Sequence, residues 1–285
     1  MNGPAILART MSVPRVRKKG TPPWQYHPRS DHHSKVACWG VLFDLLQHSE
    51  LMRAHAADGL LAFGINHVMT NFTNGKRKAL DLVVCRPKAG GSANIKPVMF
   101  ATLAAQYGIE LSTEESAALQ ALPPVASQPV GAVRIALESK AAMTEFAKAR
   151  PRLYDELASS QAIVHGDTSD ALAAGLVLIN GSPSFVSPTA NPSLSFGAPL
   201  RTSHHDQPAQ LALTIDHVRG LPRRADASGP GFDAIAVIAL RCTNIAGDPV
   251  ELIADPPAPQ VGDVLHYDSL INRLIGSYAA RFPMG

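Results

Sequence analysis

A chain of 285 residues, 46% hydrophobic and 17% charged, carries enough apolar side chains for one large or two small cores, which excludes a disordered chain. Its formal charge of +3 leaves any nucleic-acid affinity to local basic patches rather than to the overall field. Cys38, Cys85 and Cys242 lie far apart with no C-x-x-C, which reads as buried free thiols in a reducing cytoplasm and excludes a disulfide framework or a zinc site. No apolar run reaches membrane-spanning length, and the N-terminus lacks the apolar core of a signal peptide, so a cytoplasmic protein without a membrane partner is expected.

Residues 1–30 contain Arg9, Arg15, Arg17, Lys18, Lys19 and Arg29, no acid, and five prolines at 4, 14, 22, 23 and 28. Proline removes donors and fixes φ, so this segment reads as a flexible basic arm. It serves either as a phosphate contact or as a solvated tail. Residues 31–285 form the main domain. Asp31 or Ser34 caps a first helix whose apolar stripe is Val36, Trp39, Phe43 and Leu46. His32-His33 lacks a third or fourth ligand at zinc spacing. By residue type, Asp31, His33 and Lys35 belong near a phosphate site.

Gly59 to Thr73 holds the first strand, and Asn74-Gly75 is a hairpin turn because both residues tolerate positive φ. Lys76, Arg77 and Lys78 then form a basic rim, which either draws in phosphates or protects a sheet edge. Ala79 to Cys85 is a second strand, apolar except for Asp81. The stretch of about 87–130 is a helical insertion. It opens with a loop at Lys88 to Ser92, then a helix over Pro97 to Gln106 stopped by Gly108. A second helix to Leu122 opens with the capping box Ser112-Thr113-Glu114-Glu115. This pair suits packing or dimerisation better than DNA reading, since its second helix is not basic.

Val133 to Lys140 is a third strand. Alternation puts Val133, Ile135 and Leu137 on one face and Glu138 and Lys140 on the other. A helix follows without a turn, with Met143, Phe146, Leu153 and Leu157 inward, and Pro151 either kinks it or starts a new helix. Lys148, Arg150 and Arg152 cluster on it. They either bind a phosphate backbone or pair with Glu145, Asp155 and Glu156 at helical spacing. Ala173 to Asn180 is a buried strand.

An aspartate on one apolar strand and Glu-x-Lys on the next, followed by a helix and a strand, resembles the PD-(D/E)xK nuclease superfamily, with its restriction-endonuclease-like fold. The resemblance covers about residues 35–187 and carries Asp81, Glu138 and Lys140 into that family's catalytic set. It departs from the pattern at Leu80, which replaces a proline that is often absent in the family, and in the long separation of Asp81 from Glu138, which implies an insertion. The resemblance implies an α/β fold with a central mixed sheet flanked by helices. Asp81 and Glu138 would bind Mg²⁺, with Mn²⁺ as the alternative, and the Ser139 carbonyl would be a further ligand. Lys140 would orient the attacking water or stabilise transition-state charge. The first helix sometimes adds an acid in this family, which makes Asp44 and Glu50 candidates. DNA is the implied partner, gripped by Lys76, Arg77, Lys78, Lys148, Arg150 and Arg152, with a homodimer as the assembly.

Residues 181–231 read as a long loop region with one strand at 209–215, and Arg219, Arg223 and Arg224 are a further basic spot. Phe232 to Cys242 is another buried strand and Tyr267 to Phe282 an amphipathic helix, so a C-terminal extension of about 188–285 widens the sheet. No Walker A loop, dinucleotide glycine fingerprint or G-x-S-x-G elbow is present. The expected activity is a Mg²⁺-dependent DNA endonuclease, of restriction or defence type. A junction resolvase is the alternative enzyme, and a non-catalytic nucleic-acid-binding protein is the alternative class.

Overall fold

The run LAAGLVLIN from Leu172 to Asn180 is buried at every position, the pattern of a strand with helices on both faces. The computed structural model describes residues 1–90, 97–192, 199–224 and 229–284. The first part of the chain forms α1 (Gly3–Met11), β1 (Arg15–Val16), β2 (Pro23–Trp24), α2 (His32–His48), α3 (Glu50–Ala57), β3 (Ala62–Thr70) and β4 (Arg77–Pro87). Next come α4 (Phe100–Tyr107), α5 (Thr113–Ala121), β5 (Val130–Ala142), α6 (Phe146–Asp167), β6 (Leu172–Asn180), β7 (Ser184–Val186) and β8 (Thr202–His204). The chain continues through α7 (Ala209–Arg219), β9 (Ala234–Arg241), β10 (Glu251–Leu252) and α8 (Tyr267–Arg281).

The protein is α/β, with a mixed six-stranded sheet in the order β10-β9-β6-β5-β4-β3. β3, β4 and β5 run as an antiparallel meander, β5, β6 and β9 are parallel, and β10 closes the edge antiparallel. Period-two alternation sends Leu172, Ala174, Leu176 and Leu178 into a core shared with α1, α2, α4 and α8. Ala173, Val177 and Ile179 enter a second core, shared with α6 and α7. Helix α6 covers the β5-to-β6 connection, as a parallel pair requires. All three cysteines are free and buried, and among the described residues no helix is long and apolar enough to cross a membrane.

Several expectations need correction. The supposed flexible arm of residues 1–30 begins with an ordered helix, with Ile6, Leu7 and Met11 at most 1% exposed. Pro4 lies in its first turn, where the missing N–H costs nothing. Asp44, a candidate metal ligand, instead accepts the Asn2 and Gly3 backbone N–H groups at 2.8 Å each and caps α1. Glu50 stands exposed in the first turn of α3. Asp44→Ala is therefore expected to lower unfolding stability by about 2–3 kcal/mol in urea titration, through loss of a cap and of buried hydrogen bonds.

The Asn74-Gly75 turn is present, with Gly75 at φ +71°, but it lies in a longer loop closed by Asn71 N–H to Lys76 O at 2.8 Å. The expected loop at Lys88–Ser92 lies partly outside the described residues. The helix expected directly after Lys140 starts only at Phe146, because β5 continues to Ala142. Pro151 sits inside α6 without dividing it. The strand expected at 209–215 is helix α7, whose buried residues Leu211, Thr214, Ile215 and Val218 follow a helical rather than an alternating period. A bulge at Arg134, between the Val84–Ile135 and Cys85–Val133 pairs, also puts Val133 on the opposite face from Ile135 and Leu137.

Candidate active site

The β4–β5 ladder ends at Leu82–Leu137, and the same register puts Asp81 across from Glu138. Beyond that point the strands fork. The Asp81 carboxylate (Oδ2) accepts the Ser139 backbone N–H at 2.8 Å, replacing the next ladder bond. β5 stays paired to β6 through Glu138, Ser139 and Lys140, so these residues are held rigidly on one side of the fork. This is also where the sheet changes from antiparallel to parallel, at the carboxyl end of β5, a place where α/β sheets commonly leave a crevice. On the β3 side the ladder skips Asn66 and Asp81, and Asn66 has a left-handed φ of +52°.

Glu138 is 2% exposed. Its Oε1 receives the Lys140 ammonium at 2.6 Å and the Lys78 ammonium at 3.2 Å. Its Oε2 is buried without a hydrogen-bond partner. Lys78 is anchored by the Glu156 carbonyl at 2.9 Å and Ser160 Oγ at 2.6 Å. Glu156 of α6 lies 3.3 Å from the Lys140 ammonium and 2.6 Å from Arg152 Nε. Three cations therefore face three carboxylates across β4, β5 and α6.

Burial, reinforced by the Glu138 charge, raises the Asp81 pKa from 3.8 to about 6, against the pull of Ser139 N–H, Lys140 and Lys78. Burial alone would lower Lys140, but Glu138 outweighs it by charge and hydrogen bond, helped by Glu156 and Asp81, and its pKa is raised. Lys140 is thus a fixed cation at neutral pH, suited to holding an anion rather than to accepting a proton. Burial would raise Glu156, yet Arg152 and Lys140 hold it below its ordinary value.

Asp81, Ser139, Lys140 and Glu156 line a cleft of about 990 Å³. One side of the cleft is formed by Tyr26, Arg29, Asp31 and His33, another by Thr144, Lys148 and Arg152 of the α6 side, and a third by Phe185, Ser187 and Thr189. The expected nearness of Asp31 and His33 to this place holds, whereas Lys35 pairs with Asp31 at 2.7 Å and lies beside a small cavity behind Asp81. His33 is neutral, its pKa pushed down to about 4 by burial and by His32.

The structure separates the basic residues grouped by sequence. Lys78 is not a rim residue but touches Glu138 inside the site. Lys76 and Arg77 are exposed at the start of β4 and away from the cleft lining. Lys148 and Arg152 line the cleft, each also paired to a helix neighbour, Glu145 at 3.3 Å and Glu156 at 2.6 Å. Arg150 turns the other way and donates to Gln210 Oε1 at 2.8 Å. Arg219 is committed to Asp263 at 2.8 Å, and Arg224 is buried 3.5 Å from Asp233. Sequence reasoning missed Glu156 as a site residue and Tyr26 and Arg29 as cleft residues. The Arg152–Glu156 spacing of four was a visible signal for the first.

Among the described residues, no group of three or more His, Cys, Asp and Glu side chains gathers as a metal centre. With both Glu156 oxygens taken by Lys140 and Arg152, the acids left are Asp81 and Glu138, and Mg²⁺ takes one or two carboxylates alongside phosphate and water. Glu138 Oε2 has no hydrogen-bond partner, and Asp81 is raised first by burial and then by the Glu138 charge, so both carboxylates lack full compensation. No protein-family model, curated protein or solved structure matches the chain.

Proposed function

We propose that the protein is a divalent-cation-dependent nuclease with a restriction-endonuclease-like core, acting on DNA. The observation that carries this reading is the fork itself, where Asp81 and Glu138 meet with one buried carboxylate oxygen unpaired and Lys140 fixed beside them. The order over α2 to β6 supports it: two helices, an antiparallel strand pair, the inserted helices α4 and α5, a third antiparallel strand, then a helix and a parallel strand. Asp81 and Glu138 would hold Mg²⁺ or Mn²⁺. The Ser139 carbonyl leaves its extended strand on the same side as the N–H bonded to Asp81, a third oxygen at the opening. When bound, such a cation polarises the phosphodiester and acidifies water.

The chain's own part is positional and electrostatic. Lys78 and Lys140 grip Glu138 Oε1 and so fix the direction of Oε2. Lys140, charged at neutral pH, stabilises the negative charge that develops on the phosphoryl oxygens. Lys148 and Arg152 on the cleft wall receive flanking phosphates by exchanging their helix partners for them.

A second reading follows from the same network. Lys78, Lys140 and Arg152 paired with Glu138 and Glu156 form a network that staples α6 to the sheet in a non-catalytic binding protein. Incubation with supercoiled plasmid and Mg²⁺, Mn²⁺ or Ca²⁺ separates the two. The nuclease reading expects nicked and linear products with Mg²⁺ or Mn²⁺ and little cutting with Ca²⁺. A protein that retards DNA in a gel and cuts it under none of these conditions supports the second.

A further inference from the structure

The cleft over Asp81 and Lys140 has fixed walls. Asn244, 1% exposed and held at φ +62°, accepts the Tyr26 N–H at 2.8 Å. Its amide donates to Tyr26 O at 3.1 Å and to Val186 O at 2.8 Å. One buried side chain thus ties the Tyr26 wall to the Val186 wall. Gln25 is tied likewise to the Asp248 carbonyl. Between the walls lies the half-buried Tyr26 ring, 4.8 Å from the His33 ring and 6.3 Å from that of Phe185. Burial pushes the Tyr26 hydroxyl up to about 12, against the pull of the Arg152 charge from the α6 wall.

Charge and size point the same way. The cleft presents Arg29, Lys140, Lys148 and Arg152 against Asp31, Asp81, Glu145 and Glu156. A duplex carries one charge per ~1.7 Å and a single strand one per ~3.4 Å, so a cleft whose four cations face four acids suits the less densely charged form. Its volume of about 990 Å³ is that of a pocket for a compact ligand, at the top of the ~300–1,000 Å³ range for such sites. Non-specific single-strand binders combine backbone-tracking cations with an aromatic platform for unstacked bases. In a duplex those base faces are already stacked.

Resting on the nuclease reading above, we propose that the cleft takes nucleic acid as a single strand, with one base stacked on Tyr26 beside His33 and its phosphate led to Lys140. Duplex DNA is then cut only where it is unpaired or frayed. Sequence preference is weak, because every base offers a π-face.

The test is fluorescence anisotropy with a short labelled strand, its duplex and the same strand made of abasic sites, all in Ca²⁺, followed by cleavage of the same oligonucleotides in Mg²⁺. The single strand is expected to bind best. Tyr26→Ala should weaken it roughly 5- to 150-fold, the usual loss of one stacked base, while Tyr26→Phe holds it. The abasic strand reads the same contact on the unmodified protein, whether or not Tyr26→Ala folds, and should bind as weakly. A duplex bound and cut as well as the single strand overturns the proposal and leaves the nuclease reading standing. So does an abasic strand bound as tightly as the natural one. Tyr26-dependent binding of a single strand that is never cut does the reverse: it upholds the proposal and removes the nuclease. Binding of neither form overturns the proposal.

Discussion

On the proposed nuclease reading, Glu138→Gln and Lys140→Met are each expected to slow DNA cleavage by roughly a hundred- to a thousand-fold, the usual loss of one preorganised electrostatic contact. Initial rates on plasmid or single-stranded substrate in Mg²⁺, with binding in Ca²⁺ as a control, measure this. The two variants differ in stability. Glu138→Gln removes the carboxylate between the Lys78 and Lys140 ammoniums, leaving two partly buried cations short of a partner. That costs about 1–3 kcal/mol. Lys140→Met leaves Glu138 still paired with Lys78 and is the milder change. If the network were only a staple between α6 and the sheet, both variants would lose stability and neither would change a rate.

Asp81→Asn is expected to abolish cleavage and stabilise the fold. The Asp81 pKa is about 6 in the folded protein against an ordinary 3.8. Between those values the folded state keeps a proton that the unfolded chain has lost, so stability falls as pH rises through the window. Above it the penalty is complete, about 3 kcal/mol for this gap. The amide carries no charge to desolvate or to repel Glu138, and its oxygen still accepts the Ser139 N–H. Urea unfolding well above pH 6 should show Asp81→Asn more stable than the unmodified protein by up to about 3 kcal/mol, shrinking towards zero near pH 3.8. A divalent cation held by Asp81 should give the unmodified protein the same relief above pH 6, and should release a proton on binding only at or below about pH 6, where the carboxyl still holds one. A site more stable without its acid is a common mark of function placed against folding.

The core was legible because its signals are local. The unbroken apolar runs of β6 and β9, the capping box of α5 and the left-handed Gly108 that ends α4 all arise within a few residues. Asp81 stood out as the lone acid of an apolar strand. Alternation put Glu138 and Lys140 on one face, where the structure joins them at 2.6 Å.

What was not legible depends on tertiary placement. The Arg152–Glu156 pair read as an ordinary helix pair, because only the packing of α6 on the sheet turns Glu156 towards Lys140. Lys78 read as rim because it follows two exposed cations. As the second residue of β4 it is carried inward by the strand. In α7, read as a strand over 209–215, Leu213 is 52% exposed and the buried row runs Leu211, Ile215, Val218. Prolines hid α1 and the Tyr26 wall, since Pro4 lies in a first turn and Pro23 in a short strand.

The fastening of that wall bears on how the protein is made. Tyr26 is tied by Asn244, 218 residues later, Gln25 by Asp248, 223 residues later, and Ser12 by Val250, 238 residues later. At ~5–20 residues per second, a ribosome needs roughly 10–50 s to supply those partners after the N-terminal segment is made. By then β3 to β6, the strands that hold Asp81, Glu138 and Lys140, have been synthesised. In the nascent chain the strands of the Asp81–Glu138 fork are therefore complete before the Tyr26 wall can be fastened over them.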